Sequence, residues 1–227
     1  MALGGGGFSS EDATSPLDDF ILGLARRPNP RICFLPTASG DSDTYVANFY
    51  RAFNPRSCRP LDLTLFRRTV VDLRPFLLDQ DVIYVGGGNT ANMLAIWRQH
   101  GVDQVLRECW ESGVVLAGIS AGAICWFEAA VTDSFGPQLA ALHDGLGLLP
   151  GSACPHYDSE DRRRPVYQGL VQDGFPGGYA ADEDVGLHFA GTTLREAVSS
   201  RPQAKGYELR LDDGRVSERT IAPRLLG

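Results

Sequence analysis

The sequence lacks long apolar segments and an excess of basic residues. Its apolar runs fall far short of the ~20 residues that cross a bilayer, and the leading MALGGGGFSSED has neither the basic nor the apolar region of a signal peptide. The chain has 28 Asp and Glu residues but only 21 Lys and Arg residues, which gives a net charge of −7. We therefore expect a cytoplasmic protein that binds neither membranes nor nucleic acid.

Cysteine motifs and cofactor fingerprints are also absent. The five cysteines include no CxxC pair and no Cys/His spacing typical of a zinc site, so no metal is expected. Cys33, Cys109 and Cys125 lie in apolar segments, which favours buried reduced thiols over disulfides. The chain contains neither GxGxxG nor GxxxxGK followed by Ser or Thr, so no nucleotide or other organic cofactor is expected.

The length and the apolar content are those of an ordinary globular domain. A chain of 227 residues can bury a full core without disulfide or metal staples. No repeat, low-complexity tract or Pro/Ser-rich linker interrupts it, so we predict one domain over residues 1–227. Short apolar runs alternate with segments of helical periodicity, and this alternation predicts an α/β fold with a mostly parallel sheet.

The predicted elements follow from these runs and periods. Strands are predicted at 32–36, 61–65, 82–85 and 114–119. Helices are predicted at 43–53, 89–100 and 103–111. Gly101 is expected to be a left-handed cap between the last two helices, and Trp97 is expected in the core. Beyond about residue 130 we predict short strands at 186–189 and 207–211 and a helix near 166–172, packed on the same core.

The strongest local motif is GISAG at 118–122, which follows the apolar run VVLA and precedes a helix-compatible segment, 121–128. A strand, a sharp turn and a helix in this order form a nucleophile elbow, in which the turn strains the serine backbone and small residues on both sides let the neighbouring backbone pass. Ser120 is therefore the candidate nucleophile. At the start of its helix, the N–H group of Ala121 is a candidate donor to an oxyanion.

A second glycine run, GGGNT at 86–90, follows the VIYV strand and precedes a helix. Glycine accepts positive φ angles, so backbone N–H groups here can point into the same crevice and supply a second oxyanion donor. A phosphate cradle is the alternative, but the run matches no phosphate-binding fingerprint and no lysine follows it.

A serine nucleophile needs a base, and the chain has four histidines. His100 lies at a predicted helix end, and His143 and His188 lie in apolar or Asp-flanked stretches that suit structural roles. His156, in the loop segment CPHYD, is the best candidate for the base. The acid that would orient the imidazole stays open on the residues alone. Its candidates are Asp133, Asp158, Asp182 and Glu183.

Four segments together resemble the peptidase E family of serine peptidases, which includes aspartyl dipeptidases and cyanophycinases. They are LPTASGDS at 35–42, GGGNT at 86–90, GISAGA at 118–123 and PHYD at 155–158. The resemblance spans roughly residues 3–200. It implies a three-layer sandwich that is flavodoxin-like and similar to class I glutamine amidotransferases.

The resemblance also implies roles for individual residues. Ser120 matches the nucleophile of the family, His156 matches its base, and Gly88 and Ala121 match its oxyanion-hole donors. Asp133 matches the acid approximately, since family members carry that acid shortly after the elbow helix. The fallbacks for the acid are Asp158 and Glu183.

The resemblance further implies a substrate class. Aspartyl dipeptidases of this family cut after an N-terminal aspartate and bind its carboxylate with an arginine, whose planar guanidinium suits bidentate recognition. Arg162 is the nearest match here, in a segment that follows His156 sooner than in those members, and Asn89 is the second expected substrate-binding residue. The resemblance thus implies a serine exopeptidase that acts on short peptides, and more specifically an aspartyl dipeptidase with a preference for Asp-X. It also implies a homo-oligomer.

Three alternatives share parts of this pattern. An α/β-hydrolase esterase has GxSxG, but the 36 residues from Ser120 to His156 leave little room for its intervening elements, and GGGNT lacks the preceding histidine of its oxyanion loop. A peptidase E-like enzyme with another amino- or carboxy-terminal specificity would keep the same catalytic residues. A non-catalytic small-molecule binding protein on the same fold is the alternative from another class.

Overall fold

The computed structural model of the protein describes residues 1–10 and 15–227. In these residues the strands are β1 (Ala2–Leu3), β2 (Arg31–Leu35), β3 (Arg59–Asp62), β4 (Val82–Val85), β5 (Val115–Ile119), β6 (Phe127–Thr132), β7 (Ala140–Leu142), β8 (Leu149–Cys154), β9 (Gly178–Ala181), β10 (Val185–Ala190), β11 (Thr193–Ser199), β12 (Gly206–Asp212), β13 (Arg215–Ile221) and β14 (Arg224–Leu225). The α-helices are α1 (Pro16–Gly23), α2 (Asp43–Phe53), α3 (Leu73–Leu78), α4 (Thr90–His100), α5 (Val102–Glu111), α6 (Ala121–Ile124) and α7 (Arg163–Gln172). Short 3-10 turns lie at Gly7–Ser9 and Thr37–Ser39.

The first sheet contains eight strands in the order β14-β11-β10-β1-β5-β4-β2-β3. Strands β1, β5, β4, β2 and β3 pair in parallel, whereas β10 is antiparallel to both β1 and β11. All four residues of β4 are buried, as expected for a strand covered by helices on both faces. The predicted α/β fold is confirmed. The strands predicted from apolar runs, β2 to β5, lie in the parallel part of this sheet.

Alternate residues of the central strands enter two separate cores. Phe34 of β2 belongs to the same core as Phe49 and Phe53 of α2, whereas its neighbour Cys33 belongs to the same core as Trp97 of α4. This division follows from strand geometry, because successive side chains of a strand point to opposite faces. The result is a layer of helices on each side of the sheet, which is the three-layer arrangement that the resemblance implies.

A second sheet contains six strands in the order β13-β12-β9-β8-β6-β7. Strands β6, β8 and β9 pair in parallel, and the remaining neighbours are antiparallel. Cys154 at the end of β8 pairs with Ala180 near the end of β9. Because parallel strands end at the same edge of a sheet, the loops that follow β8 and β9 lie side by side.

Several predicted elements differ from the observed ones. The strand predicted at 61–65 lies earlier, at Arg59–Asp62, and the helix-compatible segment 121–128 contains a helix only as far as Ile124. Phe127 already begins β6, whose sequence FEAAVT has no clear period of either kind. The prediction also lacks helices α1 and α3 and strands β1, β6, β7, β8, β9, β11, β13 and β14.

Local predictions about the core are confirmed. Gly101 has φ 70° and ψ 15°, the left-handed conformation expected between α4 and α5. Trp97 is fully buried, and its Nε1 donates to Thr37 Oγ1 at 3.1 Å. All five cysteines are free thiols, and four of them are buried. Within the described residues, no helix has the length and hydropathy needed to cross a membrane.

Candidate active site

Ser120 occupies the turn between β5 and α6. Its backbone has φ 53° and ψ −112°, which serine rarely adopts. The flanking glycines are sterically required, since a Cβ on Gly118 would lie 2.0 Å from Gly122 O and a Cβ on Gly122 would lie 2.2 Å from Val85 O. The two glycines therefore let β4, β5 and α6 approach closely around the serine.

The side chain of Ser120 contacts His156 in the loop after β8. Ser120 Oγ lies 2.8 Å from His156 Nε2, and His156 Nδ1 lies 2.5 Å from Glu183 Oε1. An ionised carboxylate only accepts hydrogen bonds, so the ring proton lies on Nδ1 and Nε2 is left to accept the bond from the serine hydroxyl. The structure thus brings together a serine, a histidine and a carboxylate in one hydrogen-bonded chain.

The amino-terminal strand connects the two loops that carry these groups. Leu3 O accepts a hydrogen bond from Ser120 N at 3.1 Å, and the next carbonyl, Gly4 O, accepts one from His156 N at 3.0 Å. Backbone bonds to consecutive carbonyls fix the spacing between the serine and the histidine.

The glycine run at 4–7 also makes room for Glu183. A Cβ on Gly5 would lie 1.7 Å from Glu183 Oε2, so a larger residue would displace the carboxylate from the histidine. This role of the run was not predicted from the sequence. The available signal is the same one that points to GGGNT, namely several glycines directly after a short apolar segment.

A further ion pair holds the backbone of Glu183. The ion pair joins Asp158 and Arg201. The Glu183 N–H donates to Asp158 Oδ1 at 2.8 Å, and Arg201 donates both to Asp158 Oδ2 and to Glu183 O. Burial works to raise the pKa of Asp158, but the hydrogen bonds from Arg201 and from the Glu183 N–H outweigh it and hold the pKa below its ordinary value. Asp158, a fallback for the acid, therefore contacts the backbone of Glu183.

The two acids beside Glu183 have other partners. Asp182 Oδ2 accepts a hydrogen bond from Lys205 N at 2.8 Å, and Asp184 lies 3.6 Å from Arg201 Nε. Burial raises the pKa of both carboxyl groups, and the neighbouring charge of Glu183 adds to the effect at Asp184. Of Asp158, Asp182, Glu183 and Asp184, Glu183 is the one bonded to the His156 ring.

Asp133, the acid that the resemblance suggests, lies elsewhere. It is exposed, and within the described ranges it forms no hydrogen bond or ion pair with His156. The adjacent Ser134 Oγ accepts hydrogen bonds from the N–H groups of Thr90 and Ala91 at 3.0 and 3.2 Å. This stretch therefore caps α4, and the place beside the histidine is taken by Glu183.

The glycine run at 86–88 passes beside Ser120. A Cβ on Gly87 would lie 3.4 Å from Ser120 Cβ. Gly88 has φ 135°, and a Cβ there would lie 2.2 Å from Ala38 O. Among the residues that the structure describes, the N–H groups of Gly88 and Ala121 have no acceptor, so both are available as donors.

The two expected substrate-binding residues make contacts within the fold. Asn89 Oδ1 accepts from Asn92 N at 2.9 Å at the start of α4, and Asn89 Nδ2 donates to Ser134 O at 3.0 Å. Arg162, exposed at the start of α7, donates to Pro137 O at 3.2 Å. Both side chains therefore hold loops in place.

Ser120 opens into a surface pocket of about 320 Å³. The pocket is lined by Gly5, Gly6, Ser9, Ser10, Tyr45, Gly87, Ile119, Ser120, His156 and Glu183. None of these described lining residues is Lys or Arg, so the pocket offers hydroxyl groups and backbone amides to a ligand. A larger cavity of about 430 Å³ lies beside Val115, at the opposite end of β5 from Ser120.

Comparison with known proteins identifies relatives over most or all of the chain. A model of peptidase family S51 matches residues 1–197. The Bacillus subtilis protein named uncharacterized peptidase YgaJ is 51% identical over 228 residues, which cover 100% of this chain and 98% of that protein. Peptidase E of Shewanella denitrificans is 30% identical over 188 residues, 78% of each chain.

A solved structure shares the fold. The peptidase from an acI-B1 Actinobacterium matches with a TM-score of 0.70 and 20% sequence identity, over 97% of this chain and 92% of that chain. At this identity the likeness concerns the fold alone.

Proposed function

Since the chain belongs to peptidase family S51, we propose that it is a serine peptidase acting on short peptides. The observation that carries the proposal is the hydrogen-bonded chain from Ser120 Oγ through the His156 ring to Glu183. A hydroxyl, an imidazole and a carboxylate in this order activate a serine for acyl transfer.

In the proposed reaction, Ser120 Oγ attacks the scissile carbonyl carbon while His156 Nε2 takes the hydroxyl proton. The new O–C bond creates a tetrahedral oxyanion, which the N–H groups of Gly88 and Ala121 stabilise. The C–N bond then breaks as His156 gives the proton to the leaving amine. Water, deprotonated by His156, attacks the acyl-enzyme, and the proton returns to Ser120 as the acid product leaves.

Glu183 is the acid in this proposal. Its bond to Nδ1 keeps Nε2 free to accept a proton, and its negative charge stabilises the imidazolium that forms once Nε2 is protonated. The group that positions Glu183, formed by Asp158 and Arg201, acts through the Glu183 backbone.

The proposal does not include the Asp-X preference. Arg162 donates to Pro137 O, and no Lys or Arg is found among the described residues that line the pocket at Ser120. A substrate carboxylate in this pocket would meet hydroxyl and backbone N–H donors next to the negative charge of Glu183. The geometry of this pocket therefore does not favour an acidic first residue, and the proposed substrate class is short peptides in general.

Hydrolysis of a small panel, followed by mass spectrometry, tests the proposal. The panel contains Asp-Leu, Ala-Leu, an N-acyl dipeptide and a p-nitrophenyl ester. We expect cleavage of at least one free dipeptide, and Ser120→Ala should lower kcat by about 10⁴-fold or more. Ser57→Ala removes an exposed hydroxyl outside the site and should keep the parent rate.

Covalent labelling separates the alternatives. A fluorophosphonate should add once to the parent and to Ser57→Ala, and should not add to Ser120→Ala. Turnover of the ester alone would indicate an esterase. The absence of both Ser120-dependent labelling and turnover would contradict the proposal and favour a binding protein. If the parent cleaved Asp-Leu selectively and Arg162→Met lost this selectivity, the enzyme would have an Asp-X preference that depends on Arg162.

A further inference from the structure

The wall of the Ser120 pocket contains a tyrosine that no step of the proposed reaction uses. Tyr45 lies in the first turn of α2, and its Oη accepts a hydrogen bond from Gly87 N at 3.2 Å. Its Oη also lies 2.6 Å from Ser9 Oγ, so the two hydroxyl groups share a hydrogen bond. The tyrosine therefore joins the glycine run at 86–88 to the amino-terminal turn.

The ring of Tyr45 has little freedom to move. It packs against Phe8 and Phe34, with ring centroids 5.3 and 5.1 Å away. Gly86 is also against the ring, because a Cβ on Gly86 would lie 2.7 Å from Tyr45 Cε1. Burial raises the pKa of the phenol, so the hydroxyl stays protonated at neutral pH. The ring packing and the bond to Ser9 together fix the position of Oη.

The fixed hydroxyl restricts which backbone donor the glycine run can offer. The N–H of Gly87 is occupied by Tyr45, and the N–H of Asn89 donates to Ala38 O at 2.8 Å. The N–H of Gly88, between these two bonds, has no acceptor within the described part of the chain. Hydrogen bonds therefore hold the backbone on both sides of Gly88, whose N–H is the free donor.

We propose that Tyr45 is a positioning residue for the oxyanion hole. By accepting the Gly87 N–H, it fixes the backbone before Gly88, so that the Gly88 N–H is presented to the oxyanion. Ser9 supports this role by holding the tyrosine hydroxyl. The inference rests on the proposed function, because it concerns the oxyanion donor of that reaction.

Tyr45→Phe tests the proposal, and Tyr50→Phe is the matched control. Both tyrosines lie in α2, and each variant loses only a hydroxyl group. Tyr45→Phe loses the hydrogen bonds to Gly87 N and Ser9 Oγ, and Tyr50→Phe loses the bond to Asp62 Oδ1 at 2.7 Å. Loss of one oxyanion donor costs about 10²–10³-fold in kcat, and we expect misplacement in Tyr45→Phe to cost about 10–10²-fold. KM should stay near the parent value, and Tyr50→Phe should keep both constants.

A peptide aldehyde gives a readout that a structural role alone would not change. Its hemiacetal with Ser120 places an oxygen in the oxyanion hole, so in Tyr45→Phe its affinity should fall by the same factor as kcat. Ser9→Ala keeps the bond between Tyr45 and Gly87 and should give a smaller loss of both. Melting temperatures of all variants show whether a loss of activity follows a loss of fold.

The outcomes are distinct. An unchanged kcat and aldehyde affinity in Tyr45→Phe would overturn the positioning role. A rise in KM that matches the loss of aldehyde affinity would overturn it as well, because Tyr45 would then bind the substrate itself. A parent protein without Ser120-dependent turnover or labelling would instead overturn the proposed function.

Discussion

The two halves of the candidate site are held by different forces. Ser120 lies in the turn after the buried strand β5, where Gly118 and Gly122 allow backbone contacts too close for a Cβ. His156 and Glu183 lie on loops, and their side chains are 18% and 31% exposed. The ion pair of Asp158 and Arg201 that supports them is exposed by 32% and 42%.

This difference has consequences for how each half responds to change. Close steric packing is insensitive to salt and pH, whereas an exposed Asp–Arg ion pair weakens as the salt concentration rises and as the carboxylate is protonated in acid. Substitution of the closely packed glycines in the Ser120 half should therefore act through folding. Changes in the His156 half should act through activity in a protein that remains folded.

After Ser120→Ala, the largest effect is expected from Glu183→Gln. The amide has no charge and contains a donor, so it neither stabilises the imidazolium nor keeps the proton on Nδ1 of His156. We expect kcat to fall by about 10³-fold in steady-state kinetics, with the unfolding midpoint close to the parent value. Asp133→Asn changes an exposed carboxylate in the same way and should leave kcat unchanged. If kcat fell in Asp133→Asn and not in Glu183→Gln, the acid of the triad would be Asp133.

The first sheet can be predicted from the sequence because helices cover both of its faces. A strand such as β4, with the sequence VIYV, has no exposed position, so its apolar run is continuous and easily recognised. The second sheet gives no such signal. Its strand β8 reads LPGSAC, and small residues together with proline show neither strand nor helix periodicity.

The same difference determines how much of the site can be predicted. Ser120 follows a recognisable strand and lies in a specific motif, so the sequence identifies it directly. Glu183 follows β9, which reads GYAA, and lies 27 residues after His156. It reaches the histidine because β9 pairs in parallel with β8. Chain spacing carries no information about that pairing, which is why Glu183 remains one acid among several in the sequence analysis.

The glycines of the Ser120 half give the next largest effect. A Cβ introduced by Gly122→Ala would lie 2.2 Å from Val85 O, and backbone does not yield easily. We expect a loss of about 3 kcal/mol or more in the free energy of unfolding, measured by urea denaturation. Gly169→Ala, in α7 with no atom within 4 Å of the new Cβ, is the control.

The control should change stability in the other direction. Alanine favours a helix over glycine, so Gly169→Ala should be neutral or stabilising by about 0.5–1 kcal/mol. If Gly122→Ala unfolded at the same urea concentration as Gly169→Ala, close packing would not be what holds the Ser120 half.

The smallest effect, and the one that depends most on conditions, is expected from Arg201→Met. The folded pKa of Asp158 lies below its unfolded value of about 3.9, so its pairing stabilises the fold above that pH and is lost as the pH falls through the folded pKa. At pH 7 we expect Arg201→Met to lose about 0.5–1 kcal/mol in the free energy of unfolding, because both partners are partly exposed. The difference from the parent should shrink in acid and in 1 M salt.

The kinetics of the same variant test whether this ion pair also positions Glu183. Without Arg201, the Glu183 carbonyl loses its donor and Asp158 loses its cationic partner, so we expect kcat to fall about threefold to tenfold. Arg210→Met removes an exposed arginine that pairs with the buried Glu208 of β12, outside the site, and should leave kcat unchanged. Equal kcat values for the two variants would limit Arg201 to a role in stability. A loss confined to Arg201→Met, largest near neutral pH and low salt, would show that the His156 half depends on charge where the Ser120 half depends on packing.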